Sequence, residues 1–102
     1  MTPPVFHITT RAAWAAAQHA GEYRAASLEA EGFIHLSTAA QLPGTLRRFY
    51  RGVPDLVVLT IDPTRLRGEL RYERADRDDF PHLYGPLELD AVIVVQDAPP
   101  VP

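Results

Sequence analysis

The sequence of 102 residues contains no cysteine. This absence excludes disulfides, thiolate nucleophiles, zinc ribbons and iron–sulfur clusters, so any metal would need histidine and carboxylate ligands. No apolar run approaches the roughly 20 residues that cross a bilayer, and no basic segment followed by an apolar one indicates secretion. Glycine-rich phosphate loops, linkers and low-complexity tracts are also missing. We therefore expect a cytoplasmic protein without a membrane span.

The composition is typical of a soluble globular domain, with 46% hydrophobic and 23% charged residues. A chain of this length predicts a single domain over residues 1–102, with residues 97–102 as a frayed C-terminal tail. The net charge of -3 does not suit a broad nucleic-acid footprint, so nucleic acid is not an expected partner.

The first half of the chain predicts two strand–helix pairs. VFHIT, residues 5–9, alternates in polarity as a strand does, and turns His7 and Thr9 to the same face. The alanine-rich residues 11–20 predict a helix, which a preceding threonine can cap and Gly21 can end.

The second pair begins with GFIHLS, residues 32–37, which turns His35 and Ser37 to one face of a strand. Thr38 and Gln41 then stand at capping-box spacing. Apolar residues at helical spacing form the stripe of the second helix: Leu42, Leu46, Phe49 and Tyr50.

In the second half, residues 56–61 predict a strand buried on both faces, residues 69–73 an alternating strand and residues 91–95 a last strand. Residues 74–79 indicate a solvated loop. FPHLYGPL, residues 80–87, has two prolines and a glycine, and predicts a shaped loop and not a strand interior.

Together these patterns predict a small single α+β domain with a split antiparallel or mixed β-sheet and two main helices. The most apolar strand residues are expected to form the core: Ile34, Leu36, Val58, Leu59, Ile61, Val92 and Val94.

Three histidines, His7, His35 and His82, are each followed by an apolar residue and then a hydroxyl residue. A single histidine of this kind is usually a buried structural residue. Two of them on two strands, both turned away from the aliphatic face, predict a ligand cleft if the strands are neighbours.

Four stretches carry a resemblance to a known family: FHITT, GFIHLST, LRYE and FPHLYGPL, in that order. They resemble the bacterial family known as domain of unknown function 952, which is thought to be distantly related to the ADP-ribosyltransferase-like fold and its RNA 2′-phosphotransferases. The resemblance implies that His7 and Thr9 hold the adenosine side of NAD, and that His35 and Ser37 line the pocket of the nicotinamide ribose.

The resemblance also implies a glutamate that stabilises an oxocarbenium-like transition state, for which Glu73 and Glu88 are both candidates. His82 and Tyr84 would support Glu73 from the loop. The first hypothesis is thus an enzyme, or a degenerate enzyme, that acts on NAD or an ADP-ribose-like nucleotide. Its catalytic residues would be His35, Glu73 and His82, and its ligand-binding residues His7, Thr9, Ser37 and Tyr84.

Two alternatives remain open. Three histidines and Glu73 could bind zinc, although the sequence has no short ligand spacing and we do not expect a metal. Alternatively, the histidines are structural and FPHLYGPL is an exposed loop that docks a protein partner.

Overall fold

The computed structural model describes residues 2–99 and 101. In this part of the chain there are three helices: α1 (Arg11–Ala20), α2 (Ala26–Glu31) and α3 (Leu42–Phe49). The strands are β1 (Val5–Thr10), β2 (Glu22–Tyr23), β3 (Ile34–His35), β4 (Leu56–Ile61), β5 (Glu69–Ala75), β6 (Asp78–Tyr84), β7 (Leu87–Glu88) and β8 (Val92–Asp97). Pro63–Arg65 and Leu89–Ala91 are short 3-10 turns. None of the described helices has the length and hydrophobicity to cross a bilayer.

Both predicted helices are present; Thr10 caps α1, whereas α3 begins at Leu42, directly before Pro43 and after the turn at residues 38–41. Thr10 Oγ1 accepts a hydrogen bond from Ala13 N at 3.0 Å, which satisfies a free amide of the first turn of α1. Before α3, Thr38 N donates to Gln41 Oε1 at 3.0 Å and Gln41 N donates to Thr38 Oγ1 at 3.2 Å. This reciprocal pair is the predicted capping box.

The strands form three small antiparallel sheets, in the orders β1–β4–β8, β2–β7 and β3–β6–β5. A bridge between Phe6 and Ser37 joins the first sheet to the third, because each backbone N–H donates to the other residue's carbonyl at 2.8 Å. The two strands that carry His7 and His35 are therefore neighbours.

The prediction of two main helices missed α2 and β2, which lie in a stretch of mostly polar residues. Residues 26–31 form fewer than two helical turns, so no apolar stripe can repeat along them. Gly32, with φ of 91°, ends this short helix directly before the second histidine strand.

The interpretation of residues 74–79 and 80–87 as loops was wrong. Most of both segments belongs to a hairpin of β5 and β6, turned at Asp76 and Arg77 with φ of 51° and 72°. Pro81 is tolerated in β6 because β3 is so short. The Pro81 carbonyl accepts a hydrogen bond from Leu36 N at 3.0 Å. Proline has no N–H with which to donate a bond in return, and β3 ends at this point, since it extends no further than His35.

The core lies on both sides of β4, and five of the seven residues predicted for it are buried. Ile34, Leu59 and Ile61 are completely buried, and Leu36 and Val58 nearly so. Val94 is 41% exposed, because β8 is the edge strand of its sheet and neither of its faces is fully covered. The prediction of Val94 as a core residue was wrong.

At the C-terminus, order continues into the predicted tail. Asp97 ends β8, and Ala98 N donates to Leu56 O at 3.0 Å. Pro100 and Pro102 lie outside the described residues.

Candidate functional site

A cleft of about 410 Å³ lies where β1, β3, β6 and α3 meet. Its lining residues come from these elements and the β5–β6 turn: Phe6, His7, Ile8, His35, Leu36, Ser37, Thr45, Phe49, Tyr50, Ala75, Asp76, Phe80 and His82. An adjoining hollow of about 380 Å³ shares His7, His35, Phe49 and Tyr50 with it and extends to Thr9 and Tyr23. Both volumes are in the range of small-molecule sites.

His7 lies at the base of the cleft and is 7% exposed. Its Nδ1 is 2.8 Å from the carbonyl oxygen of His35, which can only accept, so Nδ1 carries the proton. Burial lowers the pKa of His7 to about 4, against the smaller opposite effect of the bond to His35. The ring is therefore neutral at pH 7, and its Nε2 lies 2.8 Å from the Tyr23 hydroxyl, which also hydrogen-bonds to Thr9 Oγ1 at 3.0 Å.

His82 is 5% exposed and is held by Glu73 from the neighbouring strand β5. Glu73 Oε1 accepts from His82 Nδ1 at 2.9 Å and from the Tyr84 hydroxyl at 2.5 Å. The Tyr84 bond is the larger cause, and the His82 bond the next, of a lowered pKa of Glu73. Glu73 is thus an ionised acceptor, and Nδ1 of His82 is the protonated nitrogen.

The other ring nitrogen of His82, Nε2, is buried and has no hydrogen-bond partner among the described residues. A buried polar atom without a partner costs about 1–3 kcal/mol. His82 lines the cleft and Glu73 holds its Nδ1, so Nε2 is the ring nitrogen that remains without a partner among residues 2–99 and 101. Functional sites often keep a buried polar atom unpaired in spite of this cost.

His35 lies at the rim, with 54% of its side chain exposed. Its Nε2 is 3.0 Å from Glu31 Oε2, one helical turn earlier in the chain. The rings of His35 and His82 are 5.3 Å apart in an edge-to-face arrangement, because the two residues are directly paired across β3 and β6. Phe33 stacks on His82 at 4.1 Å and fixes its ring plane.

Two hydroxyl residues complete the wall on the α3 side. Ser37 is buried, and its Oγ is 3.1 Å from Thr45 Oγ1. The Thr45 hydroxyl donates to Gln41 O at 3.2 Å, so Ser37 is the donor in the shared bond. The acceptor positions of Ser37 Oγ are then free.

Most predicted site residues lie together. His7, His35, Ser37 and His82 line the cleft, and Thr9 lines the adjoining hollow. Glu73 and Tyr84 do not line either space: Glu73 holds His82, and Tyr84 holds Glu73. Glu88 is in β7, where its carboxylate accepts from Arg67 N at 2.7 Å, and it has no contact with this network.

The residues that the sequence did not reveal are mainly aromatic: Phe33, Phe80 and Tyr23, with Thr45 beside them. Phe33 and Phe80 could have been found by pairing β3 with β6, but the expectation of a loop at residues 80–87 removed that pairing. Within residues 2–99 and 101, no group of three histidine or carboxylate side chains is placed to hold a metal ion.

The fold and site define a small α+β protein with a histidine-lined cleft. The chain belongs to the family described as Protein of unknown function (DUF952), whose model matches residues 8–95. Among curated proteins, none matches it.

Solved structures of one relative share the fold. The crystal structure of protein CC0527 from Caulobacter crescentus is 35% identical, with a TM-score of 0.85 over 92% of this chain and 84% of that one. The solution NMR structure of CC0527 matches with a TM-score of 0.79 at 35% identity, over 92% and 83% of the two chains. Neither the family description nor the name of that protein states an activity.

Proposed function

We propose that the cleft binds a nucleotide-like small molecule of the NAD or ADP-ribose type, and that His82 is the group that exchanges a proton with it. The observation that carries this proposal is His82, which lines the cleft and whose buried Nε2 has no hydrogen-bond partner among the described residues. The resemblance of FHITT and GFIHLST to strands of ADP-ribosyltransferase-like proteins supports the choice of ligand.

The contacts of His82 are those of a general base. Glu73 accepts from Nδ1, so the other ring nitrogen, Nε2, is the one that can take up a proton. An imidazole oriented in this way can take a proton from a hydroxyl group or a water molecule, which contributes about 10²- to 10⁴-fold to a rate. This arrangement supports transferase-like chemistry on the bound ligand.

Glu73 then has a different role from the one that the resemblance implies. Its Oε1 already accepts from two side chains, and the residue is not part of the cleft wall. We assign it the orientation of His82, with Tyr84 fixing the carboxylate. His35 would contact the ligand at the rim, and His7, Thr9 and Ser37 would form the polar floor.

The docking alternative loses its basis, because residues 81–83 of the supposed loop are buried within β6. A zinc site also has no support from the placement of the described side chains.

Thermal denaturation of the purified protein with millimolar NAD or ADP-ribose tests the proposal. We expect either ligand to raise Tm, and Phe49→Ala to lose most of this shift, since Phe49 lines both spaces and is 60% exposed. Tyr72→Ala is the matched control, because Tyr72 is a similarly exposed aromatic residue (53%) that lines neither space. No shift of the wild-type protein with either ligand would refute nucleotide binding.

A further inference from the structure

We propose that the part of the nucleotide that enters the cleft is the uncharged base, with the phosphates left outside, so that a nucleoside alone is a sufficient ligand. This inference rests on the proposed function. It specifies which end of the ligand the site recognises.

The charges around the cleft disfavour a phosphate. Asp76 is the one carboxylate among the lining residues, and no arginine of the described chain lines the cleft. Arg48, which is not among the lining residues, pairs with Asp76 at 3.0 Å. Phe49 and Tyr50 line the wall from the C-terminal end of α3, where Arg47 and Arg48 of the last turn meet the negative end of the helix dipole.

The shape of the wall suits a flat ring. Phe49, Tyr50 and Phe80 line the cleft from two different elements, α3 and β6. Aromatic side chains prefer stacked or edge-to-face contacts with other rings, and Phe49 is 60% exposed, with the Arg48 guanidinium 5.4 Å from its ring centre. A pyrophosphate group gains little from such a surface.

The polar atoms suit the edge of a base. His82 Nε2 accepts a hydrogen bond when the ring is neutral and donates one when it is protonated, and Ser37 Oγ has free acceptor positions. The edge of a nucleobase carries N–H donors and ring-nitrogen or carbonyl acceptors side by side, so it can pair with both atoms. A phosphate carries acceptors alone and would leave Ser37 unmatched.

Calorimetric titrations with adenosine, ADP-ribose and sodium pyrophosphate test the inference. We expect adenosine to bind with a Kd within about threefold of that of ADP-ribose, which means that the phosphates contribute under about 1 kcal/mol to binding. We expect pyrophosphate not to bind. Phe80→Leu keeps an apolar side chain but removes the ring, and should weaken adenosine about three- to tenfold. Tyr72→Leu, the same kind of change outside the cleft, should leave the Kd unchanged. Backbone amide NMR shifts should place adenosine at Thr45, Asp76 and Phe80 and leave Ile93 unaffected.

The outcomes separate this inference from the proposed function. If ADP-ribose binds but adenosine does not, or if pyrophosphate displaces ADP-ribose, the inference is overturned and the nucleotide site stands. If adenosine binds in the cleft while NAD and ADP-ribose do not, the base site is supported and the dinucleotide ligand is rejected. If no compound binds, both proposals are rejected.

Discussion

Nδ1 of His7 donates a hydrogen bond to the main-chain oxygen of His35 at 2.8 Å. One histidine of the paired motif therefore fixes the backbone of the other. The His7 ring is buried and neutral, whereas the His35 ring reaches the rim of the cleft. The two stretches look equivalent in the sequence, but the His7 ring holds the backbone of β3, whereas the His35 ring forms part of the cleft surface.

The free energy of unfolding should decrease as the pH is lowered from 6.5 to about 4. In this window the unfolded chain binds a proton at His7 and the folded protein does not. A pKa that falls from 6.5 to about 4 corresponds to about 3 kcal/mol, at about 1.4 kcal/mol per pH unit. Urea unfolding at a series of pH values measures this slope.

In His7→Gln most of the slope above pH 4.5 should vanish, whatever the absolute stability of the variant. The lowered pKa values of Asp62, Glu69, Glu73 and Asp78 also cost stability in acid, but they act below ordinary values of 3.8 to 4.5. An unchanged slope in His7→Gln would show that His7 is not the group that titrates.

Ile34→Ala should lower the free energy of unfolding by about 2–5 kcal/mol, because Ile34 is completely buried and its truncation leaves a cavity in the core. Val94→Ala, at a 41% exposed position of the edge strand, should cost less than about 1 kcal/mol. Denaturant titration of both variants checks the contrast, and equal losses would contradict the assignment of the core.

His35→Ala should keep the fold, since most of the side chain is exposed. A ligand at a hundred times its Kd stabilises the native state by about 2.7 kcal/mol, and each kcal/mol raises Tm by roughly 4–8 °C in a domain of this size. We expect His35→Ala to lose most of the shift given by ADP-ribose. His19→Ala, at an exposed histidine of α1, should retain it. A variant that unfolds would instead identify His35 as a structural residue.

Glu73→Gln should free the ring of His82, because charge-assisted bonds to a carboxylate are about twice as strong as neutral ones. Nitrogen-15 NMR of the imidazole should show the proton mainly on Nδ1 in the wild type and shared between both nitrogens in the variant. Glu69→Gln is the control on the same strand, since Glu69 pairs with Arg71 and does not contact His82. The same spectrum in wild type and Glu73→Gln would exclude a positioning role.

Arg77→Gly should stabilise the β5–β6 hairpin by about 0.5–1 kcal/mol, because Arg77 has φ of 72° and Asp-Gly is a preferred sequence for such turns. The gain is limited by the greater freedom of glycine in the unfolded chain. A lower Tm would show that the arginine side chain contributes a contact that outweighs the backbone strain.

The sequence by itself determined the helices and strands that are specified by residues close together in the chain. Alanine content, a capping threonine and Gly21 specify α1, and the apolar run at residues 56–61 specifies the central strand. The alternation of the two histidine stretches also specified which side chains share a face. These features depend on neighbours a few residues apart, so they can be read directly from the sequence.

Only the tertiary structure decided which histidine is buried and what each one contacts. The pairing of β6 with both β3 and β5 places His82 between His35 and the carboxylate of Glu73, although the proline in FPHLYGPL argues locally against a central strand. Val94 is exposed because its strand is at the edge of a sheet, and Tyr23 bonds to His7 although β2 pairs with β7 and not with β1. Burial and hydrogen bonding depend on residues that are distant in sequence, so no local pattern contains them.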